Sequence, residues 1–249
     1  MTVEVIPVTG IPEVRAGEDL ARLLLDALDS SSLALERGDA VVVTQKAVSK
    51  AEGRVVPEKP EGKQRWVERE TRRIVARRGD LVIAETTHGF VCANAGVDAS
   101  NVAEGFLTLL PEDPDGSAER LRGALRRALG VEVAVVITDT FGRPWRRGLV
   151  NVAIGCAGLP ALVDLRGTKD ASGRVLEATM VALADEVAAA SGLVMGKASG
   201  IPMAIVRGLS FNAPPTPARA LIRPPEDDLF RTGVVDSRDR TGPSGTAAE

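Results

Sequence analysis

The sequence predicts an α+β protein with mixed sheets and flanking helices. Predicted strands and helices follow one another irregularly, and several neighbouring strands have no helix between them, unlike a regular βαβ repeat. The chain has 249 residues, of which 44% are hydrophobic. That is enough to bury a substantial core in one large domain or two small ones.

In the first half of the chain, the periodic spacing of apolar residues predicts strands and helices. Alternation over residues 3–8 predicts a strand, and the apolar spacing of residues 20–28, after an acidic turn, predicts an amphipathic helix. The β-branched run at 40–43 predicts a strand that is buried on both faces. A Pro/Gly/Lys-rich loop at 57–63 precedes a predicted helix over 65–78, whose many charges indicate a solvated face.

The second half contains stronger breaks. Ser117 is the predicted N-cap of a helix that ends at Gly130. The other predicted elements are strands at 80–85 and 89–93, a break at 111–116, a strand at 131–137, a helix at 176–191 and a strand at 202–207. No internal repeat is predicted.

Composition excludes several classes of function. The net charge of −3 argues against a protein that coats nucleic acid. The single histidine, His88, makes zinc clusters and spare-histidine triads difficult to assemble, and it is predicted to stabilise a turn rather than to catalyse. A bound metal would therefore need oxygen ligands, which favour magnesium, manganese or calcium.

The same features predict a cytoplasmic protein. The N-terminus lacks a basic leader and an apolar signal core, and charged residues interrupt the apolar stretch at 175–196, so no membrane helix is expected. Cys92 and Cys156 resemble buried thiols of a reducing compartment rather than a disulfide.

The most informative segment is VVITDTFGRPWRRG, in which a buried strand is predicted to end abruptly at Asp139 and Thr140. A carboxylate beside a hydroxyl at the end of a rigid strand suits a hard cation that also touches phosphate. The alternative is a capped turn in which both side chains bind only their own backbone. The pattern alone does not decide between them.

A second segment, ANAGVDASNV, concentrates small and polar residues in a loop where a backbone could approach a ligand closely. Asp98 is the second candidate metal ligand. An ordinary Asx-rich turn is the alternative for any one of these residues taken singly.

Two further segments contain lysines. In VVVTQKAVSK, Lys46 or Lys50 could supply a positive charge to phosphate, although helical lysines are usually solvated. SGLVMGKAS resembles a phosphate-binding P-loop, but Ser191 and Ala198 replace required residues, which excludes a Walker A motif. A ligand could still contact the loop from Gly196 to Gly200.

Taken in order, PVTGIPEV, VVVTQKAVSK, HGFVCANAGVDASNV, VVITDTFGRPWRRG and MGKASGIPMAIVRG resemble the coenzyme F420-0:γ-glutamyl ligase family. The resemblance covers residues 3–233. It implies an F420 ligase-like fold of two intertwined subdomains, with a ligase-like domain at 1–235 and a flexible tail at 236–249. We expect the stand-alone form, without the nitroreductase-like C-terminal half that some relatives carry.

The resemblance also implies a reaction. GTP would phosphorylate the lactyl carboxylate of F420-0, L-glutamate would attack the acyl phosphate, and later rounds would add γ-linked glutamate. Magnesium or manganese, and potassium as a further ion, are the implied metals, and a homodimer is the implied assembly. Nucleic acid and membrane are not expected partners.

Site residues follow from the resemblance position by position. The implied metal ligands are Asp98, Asp139 and Thr140. Lys50, the implied phosphate partner, is assigned to catalysis. Arg143 and Arg146 are also assigned to catalysis, not by the resemblance but because a guanidinium fork suits carboxylate or phosphate recognition. The implied nucleotide contacts are Ile11, Pro12, Glu13, Val14, Gln45, Lys50, Asn101, Gly196, Lys197, Ala198 and Ser199.

Two positions depart from the family pattern. Archaeal relatives carry a glutamine ligand where this chain has Lys197, and a protonated lysine cannot ligate metal. Either one metal loses a ligand or Lys197 supplies charge in its place. Gln45 stands where some relatives have serine.

Three other functions remain open at this point. A ligase of the same fold could act on another phosphorylated acceptor or another amino acid. A nucleotide-binding module could keep the pocket without turnover, although the intact Asp98, Asp139 and Thr140 argue against it. A bare scaffold is disfavoured by the polar residues at predicted strand ends.

Overall fold

The computed structural model describes residues 2–228, so the predicted tail at 236–249 lies outside the described residues. Its strands are β1 Glu4–Val8, β2 Ala40–Thr44, β3 Val55–Pro57, β4 Thr71–Arg78, β5 Leu81–Thr86, β6 Val91–Ala93, β7 Phe106–Thr108, β8 Ala134–Arg143, β9 Arg146–Ala157, β10 Val163–Asp164, β11 Met180–Val181 and β12 Met203–Arg207. Its α-helices are α1 Leu20–Ser30, α2 Gln45–Ala51, α3 Lys63–Glu70, α4 Pro114–Leu129 and α5 Leu183–Met195.

A mixed five-stranded sheet organises the molecule, in the order β1-β12-β2-β8-β9. Strands β2 and β8 are parallel, and the other neighbours are antiparallel. It follows that β1, β2 and β8 all run in one direction, and that β1 and β2 end on the same side of the sheet. The predicted α+β class with mixed sheets and flanking helices is confirmed.

Helices cover both faces of this sheet. Val41 and Val43 of β2 face the core formed with α1 and α4, whereas Ala40 and Val42 face the core formed with α5. All four residues are fully buried, as the unbroken apolar run predicts. The division follows from the two-residue period of a strand.

A smaller core lies apart from the main sheet. It contains Val67 of α3, Val82 and Ala84 of β5, and Leu107 of β7. The sheet β4-β5-β6 and the pair β3-β7 surround it. The division of the chain into intertwined subdomains stays a prediction.

The helix predicted over 65–78 is wrong in its second half. Helix α3 ends at Glu70, and the next eight residues form β4, which pairs with β5. Thr71, Ile74 and Val75 are β-branched and favour a strand. The Arg73 guanidinium also donates to the buried Glu85 carboxylate at 3.0 and 3.1 Å. At residues 71–78, pairing with β5 therefore decides the structure, although the charged residues there also suit a solvated helix.

Helix α4 begins earlier than predicted, so Ser117 is not its N-cap. Asp113 caps the helix by accepting the backbone N–H of Gly116 at 3.0 Å, and Pro114 occupies the first turn. Ser117 is buried inside the helix and donates its hydroxyl to the Asp113 carbonyl. Gly130 ends the helix in the left-handed region, as predicted.

The helix predicted at 176–191 is shifted, because α5 runs from Leu183 to Met195. The residues before it belong to the small β10-β11 hairpin, where the Leu176 carbonyl accepts the backbone N–H of Gly167. No helix of residues 2–228 is long and apolar enough to cross a membrane. Cys92 and Cys156 are buried free thiols, as predicted.

Candidate functional site

A cavity of about 890 Å³ opens where β1 and β2 end, beside the middle of β8. Segments that follow β1 and β2, residues of β8 and β9, the end of α5 with the loop after it, and the loop at 101–103 form its wall. The lining residues are Ile11–Val14, Thr44–Ala47, Lys50, Asn101–Ala103, Thr138–Thr140, Leu149, Asn151, Gly192, Met195–Ala198 and Gly200–Pro202. Side chains at carboxyl ends of parallel strands commonly bind ligands, because the chain leaves the sheet there.

Strand β8 does not end at Asp139 and Thr140, as the sequence predicts, but continues to Arg143 and returns as β9. What ends there is its parallel partner, since the pairing of β2 with β8 stops at Thr44 and Thr138. Strand β2 turns into α2 at that point. Asp139 and Thr140 therefore project beyond β2 while β9 still holds them rigidly.

The pairing of β8 with β9 shifts register beside Asp139. Ile137 pairs with Gly155 and Thr138 pairs with Ala153, so Ile154 is an extra residue on β9. The Thr138 hydroxyl donates to the Val152 carbonyl at 3.0 Å. A bulge of this kind twists a strand locally and redirects the side chains that follow it.

The Asp139 carboxyl lies half-buried in the cavity wall. Burial raises the pKa of Asp139, the backbone N–H of Thr140 and the positive charge of Lys46 oppose that rise, and the nearby Asp98 carboxylate adds to it. Lys197 also lowers the pKa of Asp139. Lys197 therefore contributes positive charge near Asp139, and whether it replaces a metal ligand stays a prediction.

The Asp98 carboxylate has a different environment. Burial would raise the pKa of Asp98, but hydrogen bonds from Lys46 and Ser100 outweigh burial and hold the value at about 2. The Lys46 ammonium lies 2.6 Å from Asp98, and the Ser100 backbone N–H and hydroxyl donate at 2.9 and 2.6 Å. Asp98 lies behind Lys46 rather than among the lining residues.

The loop around Asp98 is held from both sides. The Asp98 backbone exchanges hydrogen bonds with Thr108 of β7 at 2.8 and 3.0 Å. Just before it, Gly96 has φ 77°, and an added Cβ there would lie 2.6 Å from the Leu110 side chain. The loop therefore requires glycine for close packing as well as for backbone conformation.

Most of the predicted nucleotide contacts lie together. Lys50 forms an ion pair with Glu13 across the cavity wall. Gln45 is buried and accepts the Ser49 hydroxyl at 2.9 Å, whereas its amide nitrogen has no hydrogen-bond partner within the described part of the chain. An unpaired buried donor is costly unless a ligand supplies an acceptor.

The C-terminal loop contributes only in part. Gly196, Lys197 and Ala198 line the cavity, but Ser199 does not, and its hydroxyl donates to the Met195 carbonyl. This hydrogen bond ties Ser199 to the end of α5. The predicted role of Ser199 in nucleotide binding stays a prediction.

Arg143 and Arg146 lie away from the cavity. They face each other at the turn between β8 and β9, where both are exposed. Neither is among the lining residues. They could reach only a part of a ligand that extends beyond the cavity.

His88 stabilises more than a local turn. Its Nε2 atom lies 2.9 Å from the Pro111 carbonyl oxygen and 3.1 Å from that of Glu112, and its ring stacks on Phe90. It does not line the cavity. This placement leaves His88 outside the candidate site.

Among the lining residues that the sequence interpretation did not identify are Val102, Ala103, Thr138 and Asn151. Asn151 lies directly opposite Thr140 and accepts its hydroxyl at 3.0 Å. The signal was present in GRPWRRGLVNVAIG, where Gly142-Arg143-Pro144 marks a turn before a mainly apolar stretch. A hairpin prediction there would have paired the two residues.

The residues present fit a magnesium or manganese ion. Asp139 and Thr140 in the cavity wall, and Asp98 behind Lys46, offer oxygen donors only, which these cations prefer. Residues 2–228 hold no group of three or more His, Cys, Asp or Glu side chains able to bind a metal. Substrate oxygens and water would therefore complete the coordination, as is common for magnesium at phosphate sites.

Comparison with known proteins gives consistent matches. Residues 9–208 match the family model described as F420-0:Gamma-glutamyl ligase. Three similar proteins are each named coenzyme F420:L-glutamate ligase. The relative from Methanothermobacter thermautotrophicus is 43% identical over 93% of this chain and 100% of its own length. Those from Methanopyrus kandleri and Archaeoglobus fulgidus are 44% and 42% identical over 92% and 93% of this chain, and over 98% and 97% of their own lengths.

Proposed function

Because the chain belongs to the F420-0:γ-glutamyl ligase family, we propose that it joins L-glutamate to coenzyme F420-0 in the biosynthesis of coenzyme F420, using GTP. One observation carries the proposal most directly. The cavity combines an unpaired amide donor at Gln45, a lysine at position 50 and the carboxylate of Asp139. A nucleotide triphosphate and a divalent cation need donors and ligands of these kinds.

The proposed reaction has two steps. An oxygen of the lactyl carboxylate attacks the γ-phosphorus of GTP, and GDP leaves, which produces an acyl phosphate. The amine of L-glutamate then attacks the acyl carbon, inorganic phosphate leaves, and the nitrogen loses a proton. Phosphorylation is necessary because a free carboxylate is a poor acylating agent. Successive rounds use the γ-carboxylate of the glutamate just added.

The chain's own residues bind and orient the reactants. Gln45 donates its free amide N–H to the nucleotide, and Lys50 exchanges Glu13 for a phosphate oxygen, a point charge that suits phosphate. Asp98, Asp139 and Thr140 would hold the magnesium or manganese ion. When bound, the ion offsets the negative charge that accumulates around the transferring phosphoryl group.

The remaining assignments are less closely tied to the cavity. Arg143 and Arg146 would bind an anionic part of the acceptor that extends outside the cavity. The potassium ion has no assigned ligands. We further propose that the protein acts in the cytoplasm as a homodimer, with F420-0 and L-glutamate as its substrates.

The decisive experiment is a turnover assay with F420-0, L-glutamate, GTP and manganese, in which product masses and phosphate release are followed together. Products that grow by glutamate steps, one phosphate per step and only with GTP, are expected. If GTP and manganese raise the melting temperature but no product forms, the acceptor is wrong and other phosphorylated carboxylates should be tested. If neither ligand changes the melting temperature, the nucleotide site itself is refuted.

A further inference from the structure

The hydroxyl of Thr140 forms a defined hydrogen bond with the neighbouring strand. Thr140 and Asn151 are directly paired across β8 and β9, and the hydroxyl donates to the Asn151 Oδ1 atom at 3.0 Å. Both residues line the cavity. The bond therefore lies in the wall of the proposed site.

We infer that Asn151 is a positioning residue that holds the Thr140 hydroxyl as an oxygen ligand for the divalent cation. The inference rests on the proposed function, because it assumes that Thr140 ligates the metal. It extends that function to a residue outside the set of metal ligands. The chemical reason lies in the single proton of a hydroxyl.

A hydroxyl has one O–H donor and two acceptor lone pairs. If its proton pointed at a cation, the positive end of the O–H dipole would face the positive charge. In the structure Asn151 accepts that proton, so the lone pairs of Thr140 Oγ1 remain for the cavity. Groups behind metal ligands that fix their orientation typically change metal affinity by about 10- to 100-fold when removed.

The surroundings of Asn151 keep its side chain in place. Asn151 belongs to β9, close to the bulge at Ile154, and α5 packs against it at Gly192. A Cβ added at Gly192 would lie 3.1 Å from the Asn151 amide nitrogen. The close approach of the helix therefore leaves little room for the amide to rotate.

The test measures manganese binding without substrates, from the electron paramagnetic resonance signal of free Mn²⁺ in titrations of the purified chain. Asn151→Leu keeps the approximate volume but removes the acceptor, and about 10-fold weaker binding is expected. Asn151→Asp keeps an acceptor oxygen and should bind at least as tightly as wild type. Thr71→Val, which removes a hydroxyl bonded to the Val67 carbonyl at a residue that does not line the cavity, is the matched control and should not change binding.

A double-mutant cycle separates positioning from a general structural effect. Asn151→Leu should weaken manganese binding in the wild-type background but add nothing to Thr140→Val, because Asn151 acts through that hydroxyl. Equal losses in both backgrounds would overturn the inference. So would wild-type affinity in Asn151→Leu.

A second variant perturbs the same bond without changing its chemistry. Gly192→Ala pushes on the Asn151 amide and should weaken manganese binding in the wild-type background but not in Thr140→Val. These measurements distinguish failure of the proposed metal site from failure of the role of Asn151. A wild-type chain that binds no manganese has no metal site for Asn151 to support. A wild-type site that Asn151→Leu leaves unchanged refutes only the role of Asn151.

Discussion

The loop that holds Asp98 and the β8 segment that holds Asp139 place two carboxylates in opposite electrostatic environments. Asp98 is bonded by Lys46 and Ser100, and its pKa lies at about 2. Asp139 has no cation in hydrogen-bond contact among the described residues, and burial raises its pKa. One carboxylate is already compensated, whereas the other depends on what enters the cavity.

The difference shows that residue type and local sequence do not determine the charge state of a site. Lys46 belongs to α2, 52 residues before Asp98 in the chain, and only the fold brings them together. A buried carboxylate that lacks a strong cation partner costs folding free energy. In an active site this cost can be offset when a metal ion binds.

The largest expected effect comes from removing the uncompensated charge. Asp139→Asn should reduce glutamylation by about 10³-fold, because the variant loses an anionic ligand of the proposed metal ion, which offsets the charge on the transferring phosphoryl group. Product masses in a turnover assay would measure the loss, with circular dichroism as the check that the fold is intact. Activity within a factor of two at saturating manganese would remove Asp139 from the site.

A smaller loss is expected on the other side of the comparison. Asp98→Asn should reduce glutamylation by about 10²-fold. The effect is smaller because Asp98 lies behind Lys46, and the positive charge of that lysine already compensates its carboxylate. The same assay measures it. A loss greater than that of Asp139→Asn would reverse the order of importance proposed for the two carboxylates.

The two substitutions should change stability in opposite directions in metal-free protein at pH 7. Asp139→Asn removes a carboxylate whose charge burial disfavours, so its melting temperature should rise by about 2–4 °C. Asp98→Asn leaves Lys46 without its partner, so its melting temperature should fall by a similar amount. Scanning calorimetry in the presence of a chelator would measure both, and shifts of the same sign would refute the contrast.

The smallest effect is the pH dependence of the difference in melting temperature between each variant and the wild-type chain. The folded pKa of Asp139 is raised, so its stabilising contribution is present below the unfolded pKa, about 3.9, and is lost as pH rises through the folded pKa. The advantage of Asp139→Asn should therefore grow with pH. Melting temperatures from pH 4 to pH 8 would measure it, and a constant difference would contradict the raised pKa.

Asp98 should show the opposite trend. Its folded pKa is depressed to about 2, so its contribution is present above the unfolded pKa and is lost as pH falls through the folded value. The penalty of Asp98→Asn should shrink between about pH 4 and pH 2. The same titration, continued to lower pH, tests this prediction.

The two sheets show how far the fold could be predicted. Strands β2 and β12 of the main sheet are continuous apolar runs, and the sequence predicts both almost to the residue. Strand β4 is exposed and rich in arginine, and its pairing depends on β5 and Glu85. Its charges also suit a helix, so the local pattern predicts the wrong element.

The sequence by itself determined the α+β class, strands β2 and β12 of the main sheet, the family and the identity of the candidate ligands. These follow from apolar periodicity and from long, specific motifs, both of which are local properties of the chain. Tertiary structure alone decided that β8 continues past Asp139, that Asn151 accepts the Thr140 hydroxyl and that Lys46 compensates Asp98. Hydrogen bonds and charge interactions depend on distances in space, and residues far apart in the chain supply those partners.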